Sequence, residues 1–294
     1  MIKAWMKKSM EDKIIDSIIY ILCALILFIT IYPFYYILII SFNEGVDASL
    51  GGIYWIPRKW ALDNYEKFFT DIKWLKGLGI SILRTLIGTV IGVMFTTIVA
   101  YGLSFKELAY RRLYLIIIVI SMYFSGGIIP YYTLLKALNL INNFGVYVIP
   151  GALNIFFIMV GMSFFADIPA SLRESARIDG ASELKVFFKI ALPISAPFIA
   201  TCILFIGVGH WNNWYDSAFF IQNKDLRTLS YLMMEVINST QVSATSQQFG
   251  ASTTTTTISI QSAAMIVSTL PIICVYPFLQ KYFVTGIMVG SVKE

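Results

Sequence analysis

Charge is what this chain has least of. Only 13% of its 294 residues are Asp, Glu, Lys or Arg, against 57% hydrophobic. A soluble domain carries about a quarter charged residues, so this chain cannot coat itself for water and has to meet an apolar phase. The same figures exclude disorder. Histidine is nearly absent: His210 stands alone, which removes most hydrolase and metalloenzyme templates. The three cysteines, Cys23, Cys202 and Cys274, lie far apart inside apolar runs, so neither a disulfide framework nor a zinc site is indicated. No Gly is followed by Lys, so the phosphate-cradling loop of a nucleotide hydrolase is missing. A net charge of +5, with scattered basic residues, does not suit nucleic acid.

What is abundant is long apolar runs. A membrane helix needs roughly 20 such residues, and six stretches qualify: 18–40, 78–105, 113–135, 146–165, 195–214 and 260–283. The expectation is an all-α integral membrane protein of six transmembrane helices. The first run is too long for the core of a signal peptide, and no small-residue cleavage site follows it. Pro33, Pro130 and Pro271 fall within runs and are expected to kink them. Gly88 and Gly92 make a small-residue step suited to close helix contact. Lys and Arg are about twice as dense in segments 1–13, 105–112, 167–193 and 281–294 as in the alternate set. That bias places both termini in the cytoplasm. The expected organisation is a cytoplasmic segment 1–17, a membrane domain 18–283 and a cytoplasmic tail 284–294. The Ser/Thr-rich stretch 238–259 reads as an outer connector or as a contact loop. No internal repeat is visible, which gives an inverted-repeat secondary transporter no support.

The informative loop is 167–193, DIPASLRESARIDGASELKVFFKIALP, where four acids and four bases gather. Its apolar residues recur at helical steps, as in Leu184, Phe187 and Phe188. Pro169 suits a helix start, Gly180 a helix end and Ser182 a second start, while Pro193 leads into the fifth run. Two short helices around a glycine turn are expected. From periodicity alone, docking on another protein and lying on the membrane surface are both open.

The loop keeps every spacing of a known pattern: Glu-Ala-Ala, three residues, Gly, nine residues, Ile, any residue, Leu-Pro. Here these are Glu174-Ser175-Ala176, Gly180, Ile190 and Leu192-Pro193, with Ser175 the one departure; Asp179-Gly180-Ala181 matches the common form of the turn. This resembles the EAA loop of permease subunits of binding-protein-dependent ABC importers. The six-run layout, the segment His210-Trp211-Asn212-Asn213-Trp214 and the ending from Tyr276-Pro277 to Lys293 are similar to MalG-like carbohydrate permeases, in the YtcP/LplC-type branch.

The resemblance implies a type I ABC importer permease fold in the cytoplasmic membrane of a prokaryote. It implies a second homologous permease as heterodimer partner, two ATPase subunits and an extracytoplasmic solute-binding protein. No cofactor would be held by this chain; ATP and Mg would sit on the ATPase. Carried over by position, Glu174, Ser175, Ala176, Asp179, Gly180 and Ala181 form the turn region that couples to the ATPase. Phe187, Phe188 and Ile190 belong to the apolar packing side of its second helix, and Pro193 closes the coupling motif. Candidates along an oligosaccharide path are Arg84, Tyr123, Tyr131, His210, Trp211, Asn212, Asn213 and Trp214, because aromatic faces and amides suit sugars. The other reading of the span-five aromatics is an interfacial belt. Arg84 stands inside the second run, where it either attracts a carboxylated sugar, snorkels to the interface or pairs with an acid on another subunit. An ABC permease for a non-sugar solute is the alternative, and an ion-coupled transporter, which would need midplane carboxylates, a further one.

Overall fold

The computed structural model describes residues 10–243 and 256–291, with side chains placed for most of them. Helices make up the regular structure of the described residues; a single β-bridge joins Asn43 to Trp60. The elements are α1 Met10–Ser41, α2 Gly45–Ser49, α3 Asp63–Thr70, α4 Ile72–Ser104, α5 Arg111–Tyr123, α6 Ile128–Ala137 and α7 Ile155–Ala166. They continue with α8 Ala170–Ile178, α9 Glu183–Val186, α10 Ala196–Asn212, α11 Tyr215–Phe220, α12 Leu229–Ser243 and α13 Thr257–Ser291.

α1, α4 and α13 are each long and apolar enough to cross a bilayer alone, and the number reaches six where each of three bent helix pairs counts as one span. The third run is not one kinked helix. It breaks between α5 and α6 with a bend of 119°. Pro130 does not cause the break: it sits in the first turn of α6, where its missing N–H costs nothing. The break falls at Ser125-Gly126-Gly127, where Gly127 takes φ +81°. The fourth run starts late. Residues 148–154 are irregular around Pro150-Gly151, and α7 begins only after Asn154, whose Oδ1 accepts from the Phe157 N–H at 3.1 Å. α13 runs unbroken past 283, through Pro271 and Pro277. Residues 1–9, 244–255 and 292–294 lie outside the described residues, and so do parts of the expected N-terminal segment, Ser/Thr-rich loop and C-terminal tail. Side chains of the terminal stretch from 278 onward lie outside them too.

The chain divides into two compact units, residues 1–70 with 236–267, and residues 71–235 with 268–294. In the second unit, α4 packs on both α7 and α10. Their shared core holds Ala100, Tyr101, Phe157, Phe165, Phe198, Cys202 and Ile206. A second core gathers Leu135, Val146, Tyr147, Val148, Phe220 and Ile221.

The first unit is organised by Asn43, which is 0% exposed. Its Oδ1 accepts from the N–H groups of Arg58 at 2.8 Å and Lys59 at 3.0 Å, and its Nδ2 donates to Asp47 Oδ2 at 2.9 Å. Asn64 donates to the carbonyls of Ser41 and Asn43 at 3.0 and 2.9 Å. The Asn43 amide, followed by Arg58, holds the Asp47 carboxyl below its ordinary range. Asn43→Ala strands these buried donors and acceptors. It is expected to cost about 1–3 kcal/mol, read as a lower unfolding midpoint of the purified protein. An unchanged midpoint in Asn43→Ala would show that the knot does not hold the unit.

Candidate functional site

Two places in the second unit concentrate polar chemistry. The first is a cavity of about 350 Å³ inside the bundle, where Arg84, Tyr131, Asn154, His210, Asn213 and Asp216 meet. α4 and α10 approach closely there because Gly88 has no side chain: a Cβ would come within 2.6 Å of the His210 ring. The expected small-residue step is therefore the slot that seats a polar ring, and Gly92 meets Ile206 a turn further on.

Arg84 is 1% exposed. It neither snorkels nor waits for an acid on another subunit. Its Nη2 pairs with Asp216, its Nη1 donates to the Asn213 carbonyl at 2.9 Å, and its guanidinium carbon lies 4.6 Å from the centre of the Tyr147 ring. The acid is available because α10 ends at Asn212 and the backbone turns, with Asn213 Oδ1 accepting from the Asp216 N–H at 3.3 Å. Tyr147 is fixed in turn by donating to the Leu226 carbonyl at 2.7 Å. Arg84 Nε is buried without a hydrogen-bond partner among the described residues.

The other sequence candidates separate. Tyr131, His210 and Asn213 line the cavity with Arg84. Trp211 does not. It is 7% exposed, donates from Nε1 to the Ser268 carbonyl at 3.0 Å and lines a different, apolar cavity of about 490 Å³ between α4, α10 and α13. One residue along a helix turns a side chain by about 100°, which puts neighbours His210 and Trp211 on different faces. Tyr123 ends α5 and is 79% exposed, away from this cavity. Asn212 is exposed, and Trp214 stacks edge-on with Tyr215. Asp216, Tyr147 and Asn154 were missed. Asp216 sits in the first turn of α11 and Asn154 directly precedes α7, and only the backbone turns bring them to the cavity.

The second place is the loop 167–193. α8 ends in a Schellman turn: the Gly180 N–H bonds the Arg177 carbonyl at 3.0 Å, and the Ala181 N–H bonds the Ala176 carbonyl at 2.9 Å. Gly180 adopts φ +76°, a conformation costly for any side chain. Ser182 caps α9, accepting from the Lys185 N–H at 3.4 Å. Glu174, Ser175, Asp179 and Gly180 are exposed, and Ala176 and Ala181 are half-buried. Ile178 is 86% exposed and Leu184 64%, with no core of their own to join.

α9 continues through a π-helical turn, Phe187–Ala191, into Leu192–Ile194. Phe187, expected on the apolar packing side of the second helix, turns into the bundle. It is 1% exposed and rests on Tyr101 and Phe165, with ring centres at 5.1 and 6.3 Å. Both sides of this short helix carry apolar residues, so periodicity could not say which faced in. Val186 and Phe187 do; Leu184, Phe188 and Pro193 stay exposed and Ile190 is half-buried. Glu183 ties the loop to the bundle, pairing with Arg177 and accepting from Tyr101 Oη at 3.5 Å. Arg173 stacks over Phe105, 4.8 Å from its ring centre.

Long apolar helices, a polar cavity between them and an exposed two-helix loop anchored on the bundle define a transport permease. The chain belongs to the family of binding-protein-dependent transport system inner membrane components, which residues 88–289 match. Protein LplC of Bacillus subtilis is 37% identical over 265 residues, covering 90% of each chain. The polygalacturonan/rhamnogalacturonan transport system permease protein YtcP of Bacillus subtilis is 34% identical over 97% of this chain and 100% of its own length. Among solved structures, a chain of a bacterial ABC transporter that imports the acidic polysaccharide alginate superposes with a TM-score of 0.84. It is 26% identical and covers 94% of this chain and 99% of its own. The chain is thus a permease subunit of an ABC importer that works with a solute-binding protein.

Asp216→Ala would leave the Arg84 guanidinium buried without its counter-charge. A loss of about 3–5 kcal/mol is expected, measured by thermal unfolding, with Arg84→Met plus Asp216→Leu recovering most of it. A double variant as unstable as the single one would show that the pair itself is not the source.

Proposed function

We propose that this chain carries a carbohydrate, most simply an oligosaccharide, across the cytoplasmic membrane of a prokaryote by alternating access. A separate ATPase supplies the energy, and ATP and Mg are held there, with no cofactor on this chain. A second homologous permease completes the pathway as a heterodimer partner, two ATPase subunits close the cytoplasmic side, and an extracytoplasmic binding protein delivers the solute. Residues 18–283 form the membrane domain, and both termini and the loop 167–193 face the cytoplasm, as the Lys and Arg distribution favours.

The observation that carries this reading is the pairing, within one unit, of the polar cavity with the exposed coupling loop. Ile178 and Leu184 present apolar side chains on short helices with charged neighbours, the form of a helix that docks in a groove. α4 joins the two places. Tyr101 near its end contacts Phe187 and Glu183, while Arg84 and Gly88 lie about 20–25 Å up the same helix at 1.5 Å per residue. A push on the loop therefore reaches the cavity through one rigid element. The carbohydrate assignment is supported by the polygalacturonan/rhamnogalacturonan and alginate systems among the relatives. Amides, a ring nitrogen and Tyr131 on the cavity wall supply donors and acceptors for hydroxyls.

Co-purification of the assembled importer from its native membrane, followed by identification of the ligand on the binding protein, tests the substrate. A non-carbohydrate ligand would refute it. Coupling is tested by Gly180→Pro, which the φ of +76° forbids, and by Glu174→Lys. Both variants should reach the membrane and assemble, yet lose about tenfold or more in uptake, equivalent to about 1.4 kcal/mol of lost bias between states. Wild-type uptake at equal expression would sink the coupling role. The purified chain alone should hydrolyse no ATP above a blank, and robust hydrolysis would overturn the division of labour.

A further inference from the structure

The helix of the third apolar run stops partway. α5 begins at Arg111. From Arg112, the charge that borders the run, to Tyr123 the helix rises about 16 Å at 1.5 Å per residue. A hydrocarbon layer is about 30 Å thick, and any tilt of α5 leaves its end deeper still. The chain then passes through residues 124–127 without helix or strand and turns by 119° into α6.

The backbone at this break is not satisfied within the chain. Ser125 and Gly126 make no backbone hydrogen bond through N–H or C=O among the described residues, and the Gly127 N–H reaches Ser125 Oγ only at 3.4 Å. Pro130 has no N–H to offer the Gly126 carbonyl. Residues 124–127 are exposed, Phe124 by 80%. Peptide groups in this state are excluded from lipid at such a depth and are tolerated where they line a water-filled cavity or are covered by protein.

A cavity is present. A space of about 710 Å³ is lined by Ser121, Phe124, Ser125, Gly126, Tyr131 and Tyr215, among others, and no charged side chain lines it. Tyr131 is also on the wall of the cavity around Arg84, so the two spaces adjoin at this residue. One buried ring fixes both tyrosines: Phe220, 0% exposed, meets Tyr131 and Tyr215 edge-on with ring centres at 5.4 and 6.1 Å. Neither phenol hydroxyl has a hydrogen-bond partner among the described residues. Aromatic faces, hydroxyls and free peptide groups, with no charge, suit a pyranose ring, which has an apolar C–H face and a rim of hydroxyls.

We propose that the cavity at the break of the third span is a second saccharide subsite, joined to the Arg84 cavity at Tyr131. Tyr131 and Tyr215 stack on the apolar face of a pyranose there, and the peptide groups of Ser125 and Gly126 bond its hydroxyls. Two adjoining subsites make this chain a carrier of saccharides of more than one unit. With no charged side chain on its wall, the second subsite reads ring and hydroxyls and is indifferent to a carboxylate. The inference rests on the carbohydrate reading above and deepens it.

The test uses the full chain in its assembled importer, with Cys23, Cys202 and Cys274 replaced by Ala and Ser125→Cys introduced. A membrane-impermeant methanethiosulfonate carrying a sulfonate is applied with and without ATP and vanadate, so that both states are sampled. Ser125→Cys should be labelled in at least one state, and labelling should slow several-fold when the saccharide eluted from the co-purified binding protein is present. No labelling in either state would mean that protein covers the break, and labelling that the saccharide does not slow would make it only a wet crevice; each overturns the proposal. Uptake of size fractions from a partial hydrolysate of the same saccharide, with the native cysteines kept, is the second readout. At equal membrane level, Tyr215→Ala should lower uptake of the longer fractions about fivefold and spare the shortest, the loss of one stacking contact. Tyr215→Phe keeps the ring and should lower it less. No loss, or the same loss at every length, overturns the subsite. A binding protein that holds no saccharide refutes the carbohydrate reading and this one together, whereas an unlabelled Ser125→Cys in an importer whose binding protein holds one refutes this one alone.

Discussion

Inside the hydrocarbon layer no water is available to satisfy a polar group, so each donor, acceptor and charge needs its partner within the protein. That constraint organises the second unit. Arg84 is buried because Asp216, the Asn213 carbonyl and the Tyr147 ring surround it. Other interruptions of the helices are closed the same way. Ser81 Oγ accepts the first N–H of α12, from Leu229, at 2.9 Å. Asn142 Oδ1 accepts from the Gln222 and Asn223 N–H groups at 3.1 and 2.7 Å, across 80 or so residues of sequence. The breaks that open a cavity are stable only because side chains from distant helices take over the lost backbone hydrogen bonds.

α4 is the element on which both working parts depend. Its small residues let α10 close against it, and its far end holds Tyr101 against the loop 167–193. The loop is rigid where it meets α4 and exposed where it faces outward. Phe187 and Val186 are its anchors, while Ile178 and Leu184 stay exposed. The π-helical turn at Phe187–Ala191 lies between the anchor and the bend before α10. Such turns absorb an extra residue in a helix and often mark functional segments.

Much of this was legible in one dimension. Six apolar runs gave the spans, and the spacing of Glu174, Gly180, Ile190 and Leu192-Pro193 gave the loop and its glycine turn. Where reading failed, the failures share a cause. Periodicity reports that a residue is apolar or polar, not which of two apolar surroundings it enters. Phe187 and Phe188 read alike as apolar packing residues, yet one is buried and the other exposed; Trp211 groups with His210 by position and lies on another face. The break in the third run was assigned to Pro130, although the residue that bends the chain is three positions earlier. Tyr123 was placed on the path and is exposed at a helix end.

Composition and motif spacing by themselves determined the phase this protein lives in, the extent of its apolar runs and the position of its glycine turn. These are local or additive properties: hydrophobicity sums along a run, and a Schellman turn needs only its own residues. The tertiary structure alone decided the partner of Arg84, the identity of the cavity wall and the inward anchor of the loop. Each joins residues far apart in sequence, as Arg84 and Asp216 are, and nothing in either segment specifies the other until α4 and α10 have packed through Gly88.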